Sequence, residues 1–175
     1  MRRRAILIVP AAVASLIMLA GIAWFGGLRL NLTRSYPLGL WRIEPLDRPP
    51  AAGDLVFICP PDSAAFRLAR ERGYLGRGLC PGWFSPLIKT VVATGGQAIA
   101  IGADVSVDGR PIPHSDVQPR DAAGRPLAPF GGRLVPPGFL FLHSDFAGSY
   151  DSRYFGPIPA SGVLGRAHPL LTFEP

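Results

Sequence analysis

A mainly β, antiparallel fold with one short internal helix, preceded by an apolar transmembrane helix, is what this sequence predicts, and three observations predict it. The apolar residues fall in short runs rich in Val, Ile and Phe, as pleated strands require. Gly and Pro, 21 and 20 in number, are dispersed between those runs as turns and do not gather into a disordered tract. Beyond the N-terminal apolar run, only the stretch from Ser63 to Arg72 places its apolar residues at helical spacing. At 175 residues, 48% of them hydrophobic, the chain is long enough for one domain with a real core and little else.

The first element is set by an absence of charge, since residues 5–28 carry no ionisable side chain. As a helix of about 24 residues rising 1.5 Å each, this run would cross a hydrocarbon core of roughly 30 Å with some tilt. The competing reading is a cleaved signal peptide. Against it, the run is longer than a usual signal core, and the best small-residue site, Gly21-Ile22-Ala23, is followed by bulky Trp24-Phe25. Arg2, Arg3 and Arg4 precede the run, so the positive-inside rule keeps the N-terminus cytoplasmic and sends the chain beyond Leu28 across the bilayer. The expected organisation is a cytoplasmic tip and membrane anchor over residues 1–30 and an extracytoplasmic domain over residues 31–175.

Leu28 to Leu32 alternates apolar and polar residues as a strand would. In Tyr36-Pro37-Leu38-Gly39, Pro37 biases Tyr36 toward extended backbone and Gly39 permits a bend, which puts Ser35 on a loop leading into the next strand. Leu55 to Cys59 reads as a buried strand ended by Pro60-Pro61. The helix over Ser63 to Arg72 takes Asp62 or Ser63 as its cap and stops at Gly73. Successive strands come next over Lys89 to Ala93, Gln97 to Ile101 and Asp104 to Val107, with Asp108-Gly109 as a hairpin turn. His114 to Gly132 is polar and rich in Pro and Gly, as surface loops are. Apolar strands before His143 and from Gly162 to Leu171 complete the sheet, and there is no internal repeat.

Composition removes several function classes. The formal charge of +6 includes Arg2, Arg3 and Arg4, which leaves +3 for the rest, and the remaining arginines are scattered, so no nucleic-acid surface is expected. Cys59 and Cys80, the only cysteines, form an even pair in a segment assigned to an oxidising compartment and read as a disulfide. Neither has a CxxC partner, and His114, His143 and His168 lack a second ligand at metal spacing, so no metal or other cofactor is expected.

Lys89 is the one lysine among eighteen Lys and Arg residues, and it lies inside the β-branched run Ile88-Lys89-Thr90-Val91-Val92. Unlike arginine, a buried lysine gives up its proton readily, which makes Lys89 a candidate general base. The bland alternative is a strand lysine whose stem packs on the sheet while its ammonium reaches water. If Ser35 meets Lys89, a neutral amine activates the serine hydroxyl without a histidine. Bringing an unperturbed pKa of about 10.4 down to 7 or 8 needs roughly 3 to 4 kcal/mol of desolvation and neighbouring charge. The Ser35 N–H and the Thr33 hydroxyl are candidate donors to an oxyanion, with Thr33 equally readable as a turn hydroxyl.

In this order, three segments and an anchor resemble the signal peptidase superfamily of Ser-Lys proteases, in its conjugative-transfer branch. The segments are Thr33-Arg34-Ser35-Tyr36-Pro37-Leu38-Gly39-Leu40-Trp41, Ile88-Lys89-Thr90-Val91-Val92-Ala93-Thr94-Gly95-Gly96, and Ser149-Tyr150-Asp151-Ser152-Arg153-Tyr154-Phe155-Gly156-Pro157-Ile158-Pro159. The resemblance implies a signal-peptidase-like β catalytic domain with Ser35 as nucleophile and Lys89 as base. Ser149 would orient the Lys89 amine, and an Asp151–Arg153 ion pair would hold the loop that shapes the site.

Two departures point away from a general leader peptidase: His143-Ser144-Asp145 replaces the usual Gly-Asp-Asn, and Tyr36-Pro37 replaces the methionine after the nucleophile. A Ser35-His143-Asp145 triad is disfavoured on the ground that residues at a strand end point to opposite faces. By resemblance, the expected activity is processing of a translocated conjugative pilin precursor in the bacterial inner membrane, with a periplasmic catalytic domain, the lipid bilayer and the transfer or secretion machinery as partners, and in some relatives head-to-tail joining of the product. A wall of Tyr36, Leu38, Trp41 and Phe155 is expected to shield the site. The alternatives are a general signal peptidase and, outside enzymes, an anchored β scaffold of a pilus or secretion complex.

Overall fold

A computed structural model describes residues 2–174, apart from the side chains of residues 2–8 and 11. In chain order its elements are α1 (Arg2–Phe25), β1 (Leu28–Asn31), β2 (Leu38–Glu44), β3 (Leu55–Ile58), α2 (Ala64–Glu71), β4 (Arg77–Cys80), β5 (Leu87–Thr94), β6 (Ile99–Ile101), β7 (Val105–Val107), β8 (Arg110–Pro111), β9 (Phe139–His143), α3 (Ser152–Phe155), β10 (Ile158–Pro159) and β11 (Val163–Phe173). Seven strands form one antiparallel sheet in the order β1-β2-β11-β3-β5-β9-β10, and β6-β7-β8 form a second, three-stranded one. The mainly β antiparallel expectation holds.

Helix α1 runs through the uncharged segment, and Leu16, Ile17, Met18, Leu19 and Ile22 on it are all exposed. Among the described residues, no helix is long and apolar enough to cross a membrane. The orienting role expected of Arg2, Arg3 and Arg4 falls on side chains outside the described residues. Gly27 turns the chain from α1 into the sheet. Its φ is +78°, its carbonyl accepts the Ile43 N–H at 2.8 Å, and a Cβ there would stand 2.6 Å from the Ile43 carbonyl oxygen.

Strand β5 lies at the centre of the site. It pairs with β3 on one side, Lys89 opposite Val56, and with β9 on the other, Thr90 opposite His143. Alternation sends Ile88 and Thr90 to one face and Lys89 and Val91 to the other. Ile88 joins Trp41, Phe57 and Ala167 in one apolar cluster. Val91 joins Val56, Ile58, Leu140 and Leu142 in another, on which α2 seats Phe66 and Ala69. Lys89 therefore arrives on the face of the larger core with the ammonium end of a side chain that is only 3% exposed.

Cys59 and Cys80 are bonded across 21 positions, and Cys80 is itself buried in the larger cluster. Within the closed segment α2 appears where the pattern puts it, with Ser63 as cap position and Arg72 as its last turn. Strand β4 and the 3-10 turn Pro81–Trp83 have no periodic apolar pattern in the sequence to announce them; β4 is held by bridges from Arg77 and Cys80 to Phe84. Segment 114–132 has the irregular path expected of a loop. It is nevertheless stitched down: the Gln118 N–H donates to the Tyr154 hydroxyl at 3.0 Å and the Phe130 N–H to the Arg153 carbonyl at 2.7 Å.

Candidate active site

The site begins with the hairpin that joins β1 to β2. Asn31 ends β1, is buried, and gathers the turn around its own side chain. Its amide donates to the carbonyls of Thr33, Tyr36 and Pro37 at 2.9, 2.9 and 3.0 Å, while its Oδ1 accepts the Thr33 N–H at 3.1 Å. The Trp41 indole adds a bond to the Pro37 carbonyl at 3.0 Å. Ser35 stands at the tip of this turn, as Pro37 and Gly39 imply. Gly39, at φ +125°, faces β11 so closely that any Cβ would collide with the Leu171 carbonyl.

From β5, Lys89 Nζ donates to Ser149 Oγ at 2.7 Å, and Ser35 Oγ donates to the same oxygen at 3.4 Å. Ser149 thus sits between the other two, and no direct Ser35–Lys89 hydrogen bond is present among the described residues. Burial lowers the Lys89 pKa to about 8; Asp151 pulls it back up and Arg153 adds to the lowering. A substantial share of the amine is therefore neutral in mildly alkaline water.

Asp151 and Arg153 are both 0% exposed and bonded to each other, Arg153 Nε to Asp151 Oδ1 at 2.8 Å and Arg153 Nη2 to Asp151 Oδ2 at 2.8 Å. Such a pair is tolerated in a core only when its remaining hydrogen-bonding capacity is filled. It is filled here: Asp151 also accepts the N–H groups of Ser144 and Arg153, both at 3.2 Å, and Arg153 reaches the carbonyls of Asp116, Phe146 and Ser149 at 2.8, 3.4 and 3.3 Å. Burial opposes the Arg153 charge, but its hydrogen bond to Asp151 prevails and raises its pKa. The Asp151 cap of α3 delivers this pair to its place, and a four-residue helix has no period by which a sequence could announce it.

Ser35 and Lys89 line a cleft of about 260 Å³, with Thr33, Leu75, Phe146 and Tyr150 among the other residues around it. Two expectations need correcting. Thr33 does line the cleft, but its hydroxyl donates to Asn31 Oδ1 at 2.7 Å, so it is taken up by the turn and not aimed at an oxyanion. The expected wall of Tyr36, Leu38, Trp41 and Phe155 is absent from the cleft. Tyr36 and Trp41 pack edge to face in the smaller core cluster, Tyr36 from the turn and Trp41 from β2, and Phe155 packs on Phe66 from α3. By contrast the Ser35 N–H has no partner among the described residues, which leaves it available to an oxyanion.

The His143–Asp145 geometry also differs from expectation. His143 Nδ1 lies 3.6 Å from Asp145 Oδ1: two positions apart, they share a side of the extended chain and do not point to opposite faces. His143 is buried, burial lowers its pKa, and its Nε2 has no hydrogen-bond partner among the described residues; Ser35 Oγ contacts Ser149 and not the imidazole. Ser144, between them, carries no signal in the sequence. Its hydroxyl donates to the Ser35 carbonyl at 2.6 Å.

A family model described as signal peptidase, peptidase S26, matches residues 1–171. Among curated relatives, a conjugal transfer protein TraF of Agrobacterium tumefaciens is 57% identical over 173 residues, covering 99% of this chain and 98% of its own. A probable conjugal transfer protein TraF of Sinorhizobium fredii is 61% identical over 87% of this chain and 81% of its own. A signal peptidase I of Leptolyngbya laminosa is 26% identical over 68% of this chain and 51% of its own. Among solved structures, a signal peptidase I from Enterococcus faecalis aligns with a TM-score of 0.40 at 17% identity, covering 68% of this chain and 97% of that one.

Proposed function

The chain belongs to the signal peptidase family, peptidase S26, and from that premise we propose that it is a membrane-anchored serine endopeptidase in which Ser35 attacks and Lys89 is the general base. The observation that carries this reading is Ser149 Oγ placed between Lys89 Nζ at 2.7 Å and Ser35 Oγ at 3.4 Å beside an open cleft, with the amine pKa lowered to about 8. The neutral amine takes up a proton from Ser149 Oγ as Ser149 takes the one from Ser35 Oγ, which adds to the scissile carbonyl, and the Ser35 N–H donates to the oxyanion that forms. Lys89 then passes the proton to the departing amine, leaving an ester on Ser35 and a neutral base for the next step. Ser149, touching both groups, keeps the amine aimed.

The substrate class we propose is a translocated conjugative pilin precursor, cut after a small residue. Its support is the conjugal transfer relatives that match nearly the whole chain. The ester is resolved by the pilin's own N-terminal amine, which gives a head-to-tail ring. For joining to outrun hydrolysis, that amine must be held against the ester; well-oriented intramolecular reactions reach about 10⁵ to 10⁸ M in effective concentration. Single-pass insertion in the bacterial inner membrane, with residues 31–175 in the periplasm, is supported by the uncharged run 5–28, the exposed apolar side chains of α1, and the Cys59–Cys80 bond, which belongs in an oxidising compartment.

Lys89→Arg keeps the charge and removes the base, so it should abolish pilin processing, a loss of about 10² to 10⁴-fold or more, while the chain still folds. Processing by this variant at the wild-type rate would end the general-base assignment. A serine-directed acylator should label Ser35; a folded chain that resists labelling would favour the scaffold alternative. Mass spectrometry of the processed pilin reads the last step, because a ring is one water lighter than the linear product and has no free N-terminus.

A further inference from the structure

We propose that Ser144 is a positioning residue for the nucleophile, coupling the buried Asp151–Arg153 pair to Ser35 through a single hydroxyl. This rests on Ser35 being the nucleophile. Ser144 is 0% exposed and cannot touch a substrate, so any role it has is exerted through its neighbours. It is bonded to both members of the ion pair, its N–H donating to Asp151 Oδ2 at 3.2 Å and its carbonyl accepting from Arg153 Nη2 at 3.5 Å. On its other side its hydroxyl donates to the Ser35 carbonyl at 2.6 Å, across 109 positions of sequence.

The distances decide which contact fixes Ser35. Asn31 holds the carbonyls of Thr33, Tyr36 and Pro37 but not that of Ser35, and the Ser35 hydroxyl reaches Ser149 only at 3.4 Å, beyond the usual range for O–H···O. The short bond from Ser144 is therefore the firm tie on residue 35 itself. Holding that carbonyl fixes the peptide plane after the nucleophile and so limits the directions in which its Oγ and N–H can point. Displacement of a reacting group by about 1 Å costs on the order of 10²-fold in rate. The ion pair supplies the fixed base against which this tie is made, since a side chain locked by satisfied neighbours holds its partner more narrowly than one in solvent.

The test uses the full chain in detergent and a small fluorophosphonate, whose phosphorus bonds to Ser35 Oγ as fluoride leaves with the hydroxyl proton. This probe needs the oriented hydroxyl but little of the substrate cleft. Relative to wild type, Ser144→Ala should label about ten- to a hundredfold more slowly. The midpoint of its rate–pH profile should stay where Lys89 sets it, and on a pilin peptide kcat should fall while KM holds. Ser144→Thr, which keeps the hydroxyl, should restore most of the rate, and the shape-matched Ser144→Val should not. Wild-type labelling by Ser144→Ala, or equal rates for the Thr and Val variants at matched thermal stability, would overturn the proposal while leaving Ser35 as nucleophile. An unlabelled wild type would overturn both.

Discussion

Two segments meet at the cleft and are kept in order by opposite means. The corner formed by residues 143–155 carries its charges inside: Asp151 and Arg153 are 0% exposed and each is bonded to several backbone groups as well as to the other. The segment closed by Cys59 and Cys80, which contributes Tyr74, Leu75 and Gly76 to the same cleft, keeps its charges outside. There the Arg67–Asp62 pair has side chains 60% and 42% exposed, and order comes from the disulfide and from Phe66 and Ala69 on the core. A buried charge network fixes geometry sharply but fails as a unit, whereas a covalent link over an apolar footing degrades gradually. The sharper device stands next to Ser35 and Lys89.

The comparison is broken most severely by Arg153→Leu, which strands the Asp151 carboxylate without its partner. Urea unfolding should show a loss of about 3 to 5 kcal/mol, and the carbonyls of Phe146 and Ser149 lose their donor, so Ser35 labelling should fall with it. A variant as stable as wild type would show that the pair is not what orders this corner. Reducing Cys59–Cys80 comes next, at about 3 kcal/mol in the chain-entropy model for a loop of this size. The reduced protein should nonetheless retain labelling of Ser35 at temperatures where it stays folded. Loss of labelling ahead of unfolding would contradict the division of labour drawn above.

A third measurement isolates Lys89. Its proton leaves at about 8 in the folded chain and near 10.5 in the unfolded one, so between those values the unfolded state holds more protons and stability rises with pH. Between about pH 8 and pH 10, wild type should gain roughly 2 to 3 kcal/mol relative to Lys89→Met. Acylation of Ser35 should climb through the lower end of the same window. A flat difference between the two proteins would mean that the amine is solvated. The smallest effect is expected of Arg67→Ala, where both partners face water: no measurable change in midpoint, and a clear loss there would show that the exposed pair matters more than its setting suggests.

The same line divides the residues that a sequence discloses from those it hides. Lys89 is legible because a single lysine in a β-branched run is a chemical anomaly, and α2 and the strands are legible because burial imposes a period. The disulfide is legible from an even cysteine count. Ser144 and Asn31 are not legible in that way. Each acts on the carbonyls of a turn, and which carbonyl lacks a partner is a property of the assembled backbone. Asn31 does leave a trace, an Asn at a strand end with Thr two residues on, the pattern of a side chain that caps its own turn. The displaced wall residues Tyr36, Trp41 and Phe155 teach the converse. Their aromatic character is plain, but what each packs against depends on the assembled turn, strand and helix, which composition does not carry.

The position of β11 has a bearing on timing. This last strand lies between β2 and β3, so in the hydrogen-bonded ladder of the sheet the half bearing Ser35 and the half bearing Lys89 are linked through residues 163–173. Contacts of such long sequence separation form late. A chain lacking this strand is therefore expected to leave Ser35 and Lys89 unassembled. Truncation at residue 162 should leave Ser35 unreactive toward an acylator, and supplying 163–173 as a peptide offers a direct measure of how much of the activity that one strand commands.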